Sequence, residues 1–298
     1  DSRSYRSFDF DDGTDTSLQI IGFTITSTTG GANDAGGALV RIQGYSYWDQ
    51  NTQYYVASSA TFKNCIFTIF DSGSLQGEDL QDVAVNISVG GAIFDNCEFT
   101  NITVDYDDYS FGNLGGGAVK LHCGELYINR SKLTNITVTR STSGDAYGAA
   151  IQLGACDTEL TIINTIIADN LVSYTGGGGE YVDIRGGAIN SFATGGSMQL
   201  INSTVVNNTL SSTGSSQDGP IIGSAMQFND FQDNGYTPHL TIFNSIIHGN
   251  TKVINAGSNS EATTNYGQID INEDNNDGVE GYASYSLIGG VNNIEGDG

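Results

Sequence analysis

The chain has 298 residues, 40 of them Gly and only 2 Pro, with a formal net charge of -24 from 34 acidic against 10 basic side chains. That acidity repels phosphates and anionic headgroups, which argues against nucleic-acid and anionic-membrane partners, and no apolar run approaches the ~20 residues of a spanning helix. A hydrophobic content of 38% suffices for a core, while few Lys, Glu, Leu and Ala beside abundant Gly, Asn, Thr and Ser disfavour helices.

Asp1-Ser2-Arg3-Ser4 opens the chain without Met or an apolar signal region, as expected of a mature or trimmed segment. Ser7-Phe8-Asp9-Phe10 is strand-like almost at once, with no polar cap before it, and the segment Leu18 to Ile25 begins a series of strand pairs. A Gly/Ala-rich motif ending in an aliphatic residue then recurs as Gly36-Gly37-Ala38-Leu39, Gly90-Gly91-Ala92-Ile93, Gly116-Gly117-Ala118-Val119, Gly148-Ala149-Ala150-Ile151, Gly186-Gly187-Ala188-Ile189 and Gly223-Ser224-Ala225-Met226, with Tyr266-Gly267-Gln268-Ile269 a degenerate last copy. The intervals vary, so the unit is fixed and inserted loops change length.

Between these copies lies aliphatic-x-aliphatic-x-Asn-(Ser/Thr/Cys)-x-aliphatic: Phe62 to Phe67, Phe94 to Phe99, Leu126 to Leu133 with Arg130 in place of Asn, Leu160 to Ile167, Met198 to Val205, and Leu240 to Ile247, with Tyr285-Ser286-Leu287-Ile288 a truncated end. Alternation before each Asn marks a strand with one buried face. The Asn tolerates a left-handed bend and, when stacked, can bond from coil to coil. The expected fold is all-β: a single-domain parallel β-helix (solenoid) over residues 1–298, of seven to eight coils with long inserted loops, either whole or a segment of a longer chain.

The alternation of Gly-Gly-Ala-Ile coils with Asn-Ser-x-Ile turns resembles the right-handed parallel β-helix superfamily that includes pectate lyases. Asn244-Ser245-Ile246-Ile247-His248-Gly249-Asn250 followed by Tyr285-Ser286-Leu287-Ile288-Gly289-Gly290 is more similar still to choice-of-anchor and polymorphic outer-membrane-protein type bacterial surface proteins. The resemblance implies a right-handed coil and an extracellular or cell-surface location, but not an activity, since such folds serve as enzymes, adhesins and structural proteins.

Cys65 and Cys97 hold equivalent positions in successive coils, ~4.8 Å apart at strand spacing, and Cys123 and Cys156 both fall in the link between two strands; the expected disulfides are therefore 65–97 and 123–156, the alternative being four buried thiols. Six Asn-x-Ser/Thr triplets occur. Asn86, Asn101, Asn129, Asn135 and Asn207 are candidate glycan acceptors, whereas Asn202 falls in a ladder expected to be buried. Tyr45, Tyr47 and Trp48, in an insertion rich in aromatics, are candidates for stacking on sugar rings or for covering their own loop.

The outward column after the Gly motif reads Val40, Phe94, Lys120, Gln152, Asn190, Gln227 and Asp270, with one carboxylate where an acid–base pair needs two. His122, His239 and His248 fall in unrelated contexts, so no catalytic residue is assigned and the chain reads as a non-enzyme. No cofactor is required. Calcium is the candidate metal, with Asp270, Asn272, Asp274 and Asp277 as ligands, against a plain solvated acidic loop. Ile163, Ile201 and Phe243 form an apolar outward column suited to an interface, covered either by a loop or by another molecule. The expected function is a non-enzymatic extracellular structural protein, a surface or filament subunit that self-associates head-to-tail. The alternative is a carbohydrate-binding adhesin, or a lyase or hydrolase of an extracellular polysaccharide.

Overall fold

The computed structural model describes residues 8–11, 18–26, 39–49, 52–74, 83–106, 114–141, 145–154, 158–176, 184–191, 196–213, 221–230, 239–254, 268–273 and 280–289. These residues are strands, corners and turns, without a helix among them. All ladders between them are parallel except the hairpin of Tyr45–Asp49 with Thr52–Val56. Each strand pairs with its equivalent one repeat later, so the chain forms stacked rungs, an all-β arrangement consistent with a parallel β-helix.

A 14-stranded sheet holds two ladders. The first runs through Phe8–Asp11, Val40–Gln43, the start of Val85–Asp95, the start of Val119–Asn129, Ile151–Leu153, Ile189–Ser191, Met226–Asp230 and Ile269–Glu273. The second runs through Gln19–Ile21, Ser58–Lys63, the ends of the same two long strands, Thr158–Ile163, Ser197–Ile201, His239–Phe243 and Glu280–Ser284. An 11-stranded sheet carries the chain back, from Thr24–Thr26 to Leu287–Ile288. A four-stranded sheet of two-residue strands leads into the first ladder.

The register corrects the phase of two Gly motifs. Val119 pairs with Val85, and Val85 with Val40, so Val40 rather than Leu39 matches Val119, and Leu39 rather than Ala38 matches Ala118. Gly90 to Ile93 lies instead in the second ladder, opposite Ser58 to Thr61 and Gly124 to Tyr127. These glycines answer a different need: a Cβ on Gly90 would stand 1.8 Å from the Ser58 carbonyl oxygen, and one on Gly124 1.8 Å from that of Gly90. Val40 and Phe94 are accordingly core residues with 0% exposure. The outward column contains Arg41 and Asn86 in their places.

Three left-handed corners recur along the stack. The first is held by Gly22, Asn64, Asn96, Arg130, Asn164, Asn202, Asn244 and Tyr285, the non-glycines at φ 48 to 55°. The second is held by Asn101, Asn135, Asp169, Asn207 and Gly249, and the third by Gly116, Gly148, Gly186 and Gly223. Asn is the non-glycine residue best suited to this conformation, which is why it recurs where the chain must turn without losing inter-rung pairing.

Inside the corners, stacked rings fill the early rungs: Phe62 on Phe94 at 5.1 Å and Phe67 on Phe99 at 4.4 Å, with edge-on contacts between the two pairs. Aliphatic side chains continue the core in the later rungs. Two polar ladders run through it. After the first corner, the Ser131, Thr165, Ser203, Ser245 and Ser286 oxygens each accept the backbone N–H of the preceding rung's equivalent residue. Each hydroxyl donates to the carbonyl two residues back. After the second corner, the amides of Asn170, Asn208 and Asn250 bond in series at 2.8 and 2.7 Å, and Gln268 receives the last of them at 2.6 Å.

The first of these ladders overturns the expected 65–97 disulfide. Cys65 and Cys97 are free and buried. Both take the hydroxyl position: the Cys97 thiol donates to the Phe62 and Asp95 carbonyls, and the Cys65 thiol to those of Ile20 and Lys63. Stacked side chains with the same rotamer point along the ladder in parallel, not at one another, so closeness of the backbones does not bring the sulfurs into bonding geometry. Cys123 is held in a disulfide; Cys156, its expected partner, lies outside the described residues.

Two outcomes test this arrangement. Asn208→Ala removes the acceptor of two Asn170 donors inside the core and should destabilise the fold by about 2–4 kcal/mol in urea unfolding, whereas Asn64→Ala at the exposed first corner should cost about 1–2 kcal/mol. Burial pushes the Cys97 thiol up from 9.0 to about 12. The unfolded chain therefore ionises first, and stability is lost as pH climbs from about 9 towards 12. Cys97→Ser should reduce that alkaline loss, and iodoacetamide should label Cys65 and Cys97 only after denaturation.

Candidate functional site

The outward column of the first ladder is polar from Arg41 to Gln227. Register places Asp9, Arg41, Asn86, Lys120, Gln152, Asn190, Gln227 and Asp270 in one column. Its middle is covered: Gln152 is 3% exposed, and Asn190 and Gln227 are 0% exposed. The third-corner glycines lie directly against it, since a Cβ on Gly116, Gly186 or Gly223 would come within 3.1 Å of Gln152 Cβ, Asn190 Cα and Gln227 Cβ respectively.

Gln152 Oε1, both amide atoms of Asn190 and both of Gln227 are buried without a hydrogen-bond partner in the protein. Each such group costs about 1–3 kcal/mol. Three consecutive rungs of them make a file that favours a small internal occupant able both to donate and to accept, such as ordered water. Beside the file, burial holds the half-buried Lys120 ammonium below its ordinary value. Burial, and then the Lys120 charge, do the same to His122. Ser88, whose hydroxyl is also buried and unpartnered, sits opposite His122 next to the register shift between Val40–Gln43 and Val85–Asp95.

The other expected residues fall elsewhere. Asp270 and Asn272 lie in Ile269–Glu273, opposite Gln227 and Asn229, while Asp274 and Asp277 are outside the described residues. Among the described residues no three His, Cys, Asp or Glu side chains gather closely enough to hold a metal. Tyr45, Tyr47 and Trp48 belong to the antiparallel hairpin, opposite Val56, Tyr54 and Gln53.

The first corner changes character along the stack. In the early rungs it is charged: Arg130, standing where other rungs have Asn, grips Asp95 through both carboxylate oxygens at 2.8 and 2.6 Å. That hydrogen bonding holds the Asp95 carboxyl below its usual range. In the later rungs the same ridge is apolar, with Ile163 and Ile201 half-buried, Phe243 39% exposed and edge-on to Tyr285 at 5.8 Å, and Ile166 and Ile246 beyond the bend.

The candidate acceptor asparagines also separate. Asn86 is 4% exposed within Val85–Asp95, which corrects its assignment, because a glycan has no room there. Asn129 donates to Asp95 and accepts from Asn164. Asn202 is exposed instead of buried, but its oxygen accepts from Asn244 at 2.8 Å. Asn101, Asn135 and Asn207 are exposed at the second corner.

Sequence reading missed the inner Asn ladder and the unpartnered amides. The ladder had a signal, since Asn170, Asn208 and Asn250 each follow the first-corner Asn by six residues. The buried amides had none, because a residue directly after a core aliphatic in a strand normally faces solvent. No family model matches the chain, and neither does any curated protein or solved structure.

Proposed function

We propose that the rungs form one right-handed parallel β-helix of the pectate-lyase-like superfamily, resembling the repeats of choice-of-anchor and polymorphic outer-membrane-type surface proteins. In this reading the chain is a non-enzymatic extracellular structural subunit that stacks head-to-tail. The observation that carries the proposal is the parallel rung-to-rung pairing that continues from the first described rung to the last, through register shifts in two early ladders. Gly22 and Tyr285 occupy the same corner in those two rungs. Around them Ile21 and Phe23 are 52% and 56% exposed, and Tyr282 and Leu287 61% and 58%. A second copy can continue the ladders by the same translation, and a translation repeats without closing.

Negative-stain microscopy and sedimentation of the native protein should show fibres. Ile21→Asp with Phe23→Asp should abolish them with little change in monomer stability, since both side chains are exposed. Monodisperse monomers from the wild type at all concentrations, with and without calcium, would sink the assembly.

Release of reducing or unsaturated ends from an extracellular polysaccharide panel by the native protein would identify a hydrolase or lyase instead.

A further inference from the structure

The first and second corners share a left-handed backbone but differ in what their side chains do. First-corner amides are tied into the scaffold: Asn96 donates to Asn64 at 2.7 Å, and Asn244 to Asn202 at 2.8 Å. Asn101, Asn135 and Asn207 lie outside these ladders, exposed at the bend. The conformation alone does not require Asn there, because Asp169 and Gly249 hold the same corner in other rungs.

The residue two places on from the corner is Thr in the three Asn rungs; Thr251 stands there in the Gly249 rung as well, so what sets the three apart from the Asp169 and Gly249 rungs is that corner Asn and Thr occur together. Thr103, Thr137 and Thr209 follow the corner Asn, each on the outward side of its strand, with Ile102, Ile136 and Asn208 between them turned into the core. Register aligns Thr103 with Thr137, Thr137 with Leu171, and Leu171 with Thr209. The rung with Asp169 at the corner thus has Leu171 in place of Thr. An Asn that projects from a bend, with a hydroxyl two residues later on the outer surface, is the acceptor arrangement for N-linked sugar.

We propose that Asn101, Asn135 and Asn207 form a ridge of N-glycan acceptors along the second corner. Asn86, Asn129 and Asn202, which carry the same triplet, are excluded by burial or by their amide bonds. The transfer uses a lipid-pyrophosphate-linked oligosaccharide. The side-chain Nδ2 forms a bond to sugar C1, the C1–O bond to pyrophosphate breaks, the lipid pyrophosphate leaves with the electron pair, and an amide proton passes to the transferase's base. This inference rests on the extracellular reading, because the donor and enzyme act on exported chains.

Native protein is the material for the test, through intact mass and glycopeptide sequencing, with surface biotinylation of unbroken cells reporting location separately. Sugar is expected on one or more of Asn101, Asn135 and Asn207 and absent from Asn86, Asn129 and Asn202. Thr103→Val, Thr137→Val and Thr209→Val together, which remove the acceptor triplets but keep the left-handed corner asparagines, should remove the whole added mass while leaving the unfolding midpoint of the deglycosylated chain within a few degrees. A biotin-accessible protein with all three unmodified overturns the ridge and leaves the location standing. Sugar on Asn86 overturns the exposure argument. A protein that biotin never reaches, with the three unmodified, overturns both.

Discussion

Everything in this fold depends on the chain turning through a left-handed bend while each backbone donor still finds its partner in the next rung. A right-handed bend of comparable sharpness would misalign the strands that follow. Asn and Gly relieve the cost of the positive φ, and the residue just after the first bend reinforces the turn. Its hydroxyl or thiol bonds backward, and its oxygen, where there is one, accepts the N–H of the preceding rung. The corner and the ladder are thus one device, repeated along the stack.

That device also explains which departures are tolerated. Arg130 can replace Asn at the first corner because Asp95 lies one rung earlier on the outward side and engages the guanidinium. Cysteine can replace serine because its task is to donate to a carbonyl, which a thiol performs weakly. Gln268 can close the inner amide ladder from a different part of its own rung because its longer side chain reaches both Asn250 Nδ2 and the Asn250 carbonyl.

Much of this was legible in the sequence. The alternating aliphatics around Asn164, Asn202 and Asn244 gave strand, bend and stacking direction together, since a two-residue period interrupted by a left-handed former has few other solutions. Phase was less legible. Gly90-Gly91-Ala92-Ile93 matches the motif letter for letter, yet it lies in another ladder, where positive φ and close backbone approach both call for Gly90; composition cannot tell which ladder a glycine serves. Orientation of stacked side chains was hidden as well, which is why the equivalent positions of Cys65 and Cys97 suggested a bond that parallel rotamers do not form. The candidate site suffered most: Asn190 and Gln227 are buried by what covers the outer face, and strand periodicity carries no information about that cover.

The ladders have a direction. The ladder bonds of the backbone, the N–H bonds that the hydroxyls accept and the inner amide bonds lie between rungs, so they run along the stacking axis and not across it. Tension applied along that axis would meet one rung's worth of bonds at a time, in series, instead of the whole sheet in shear. Such a stack should yield by successive peeling from an end, each step similar to the last, and reform in the same order when the load is released. Its mechanical strength is therefore that of its weakest rung, while its extensibility grows with the number of rungs.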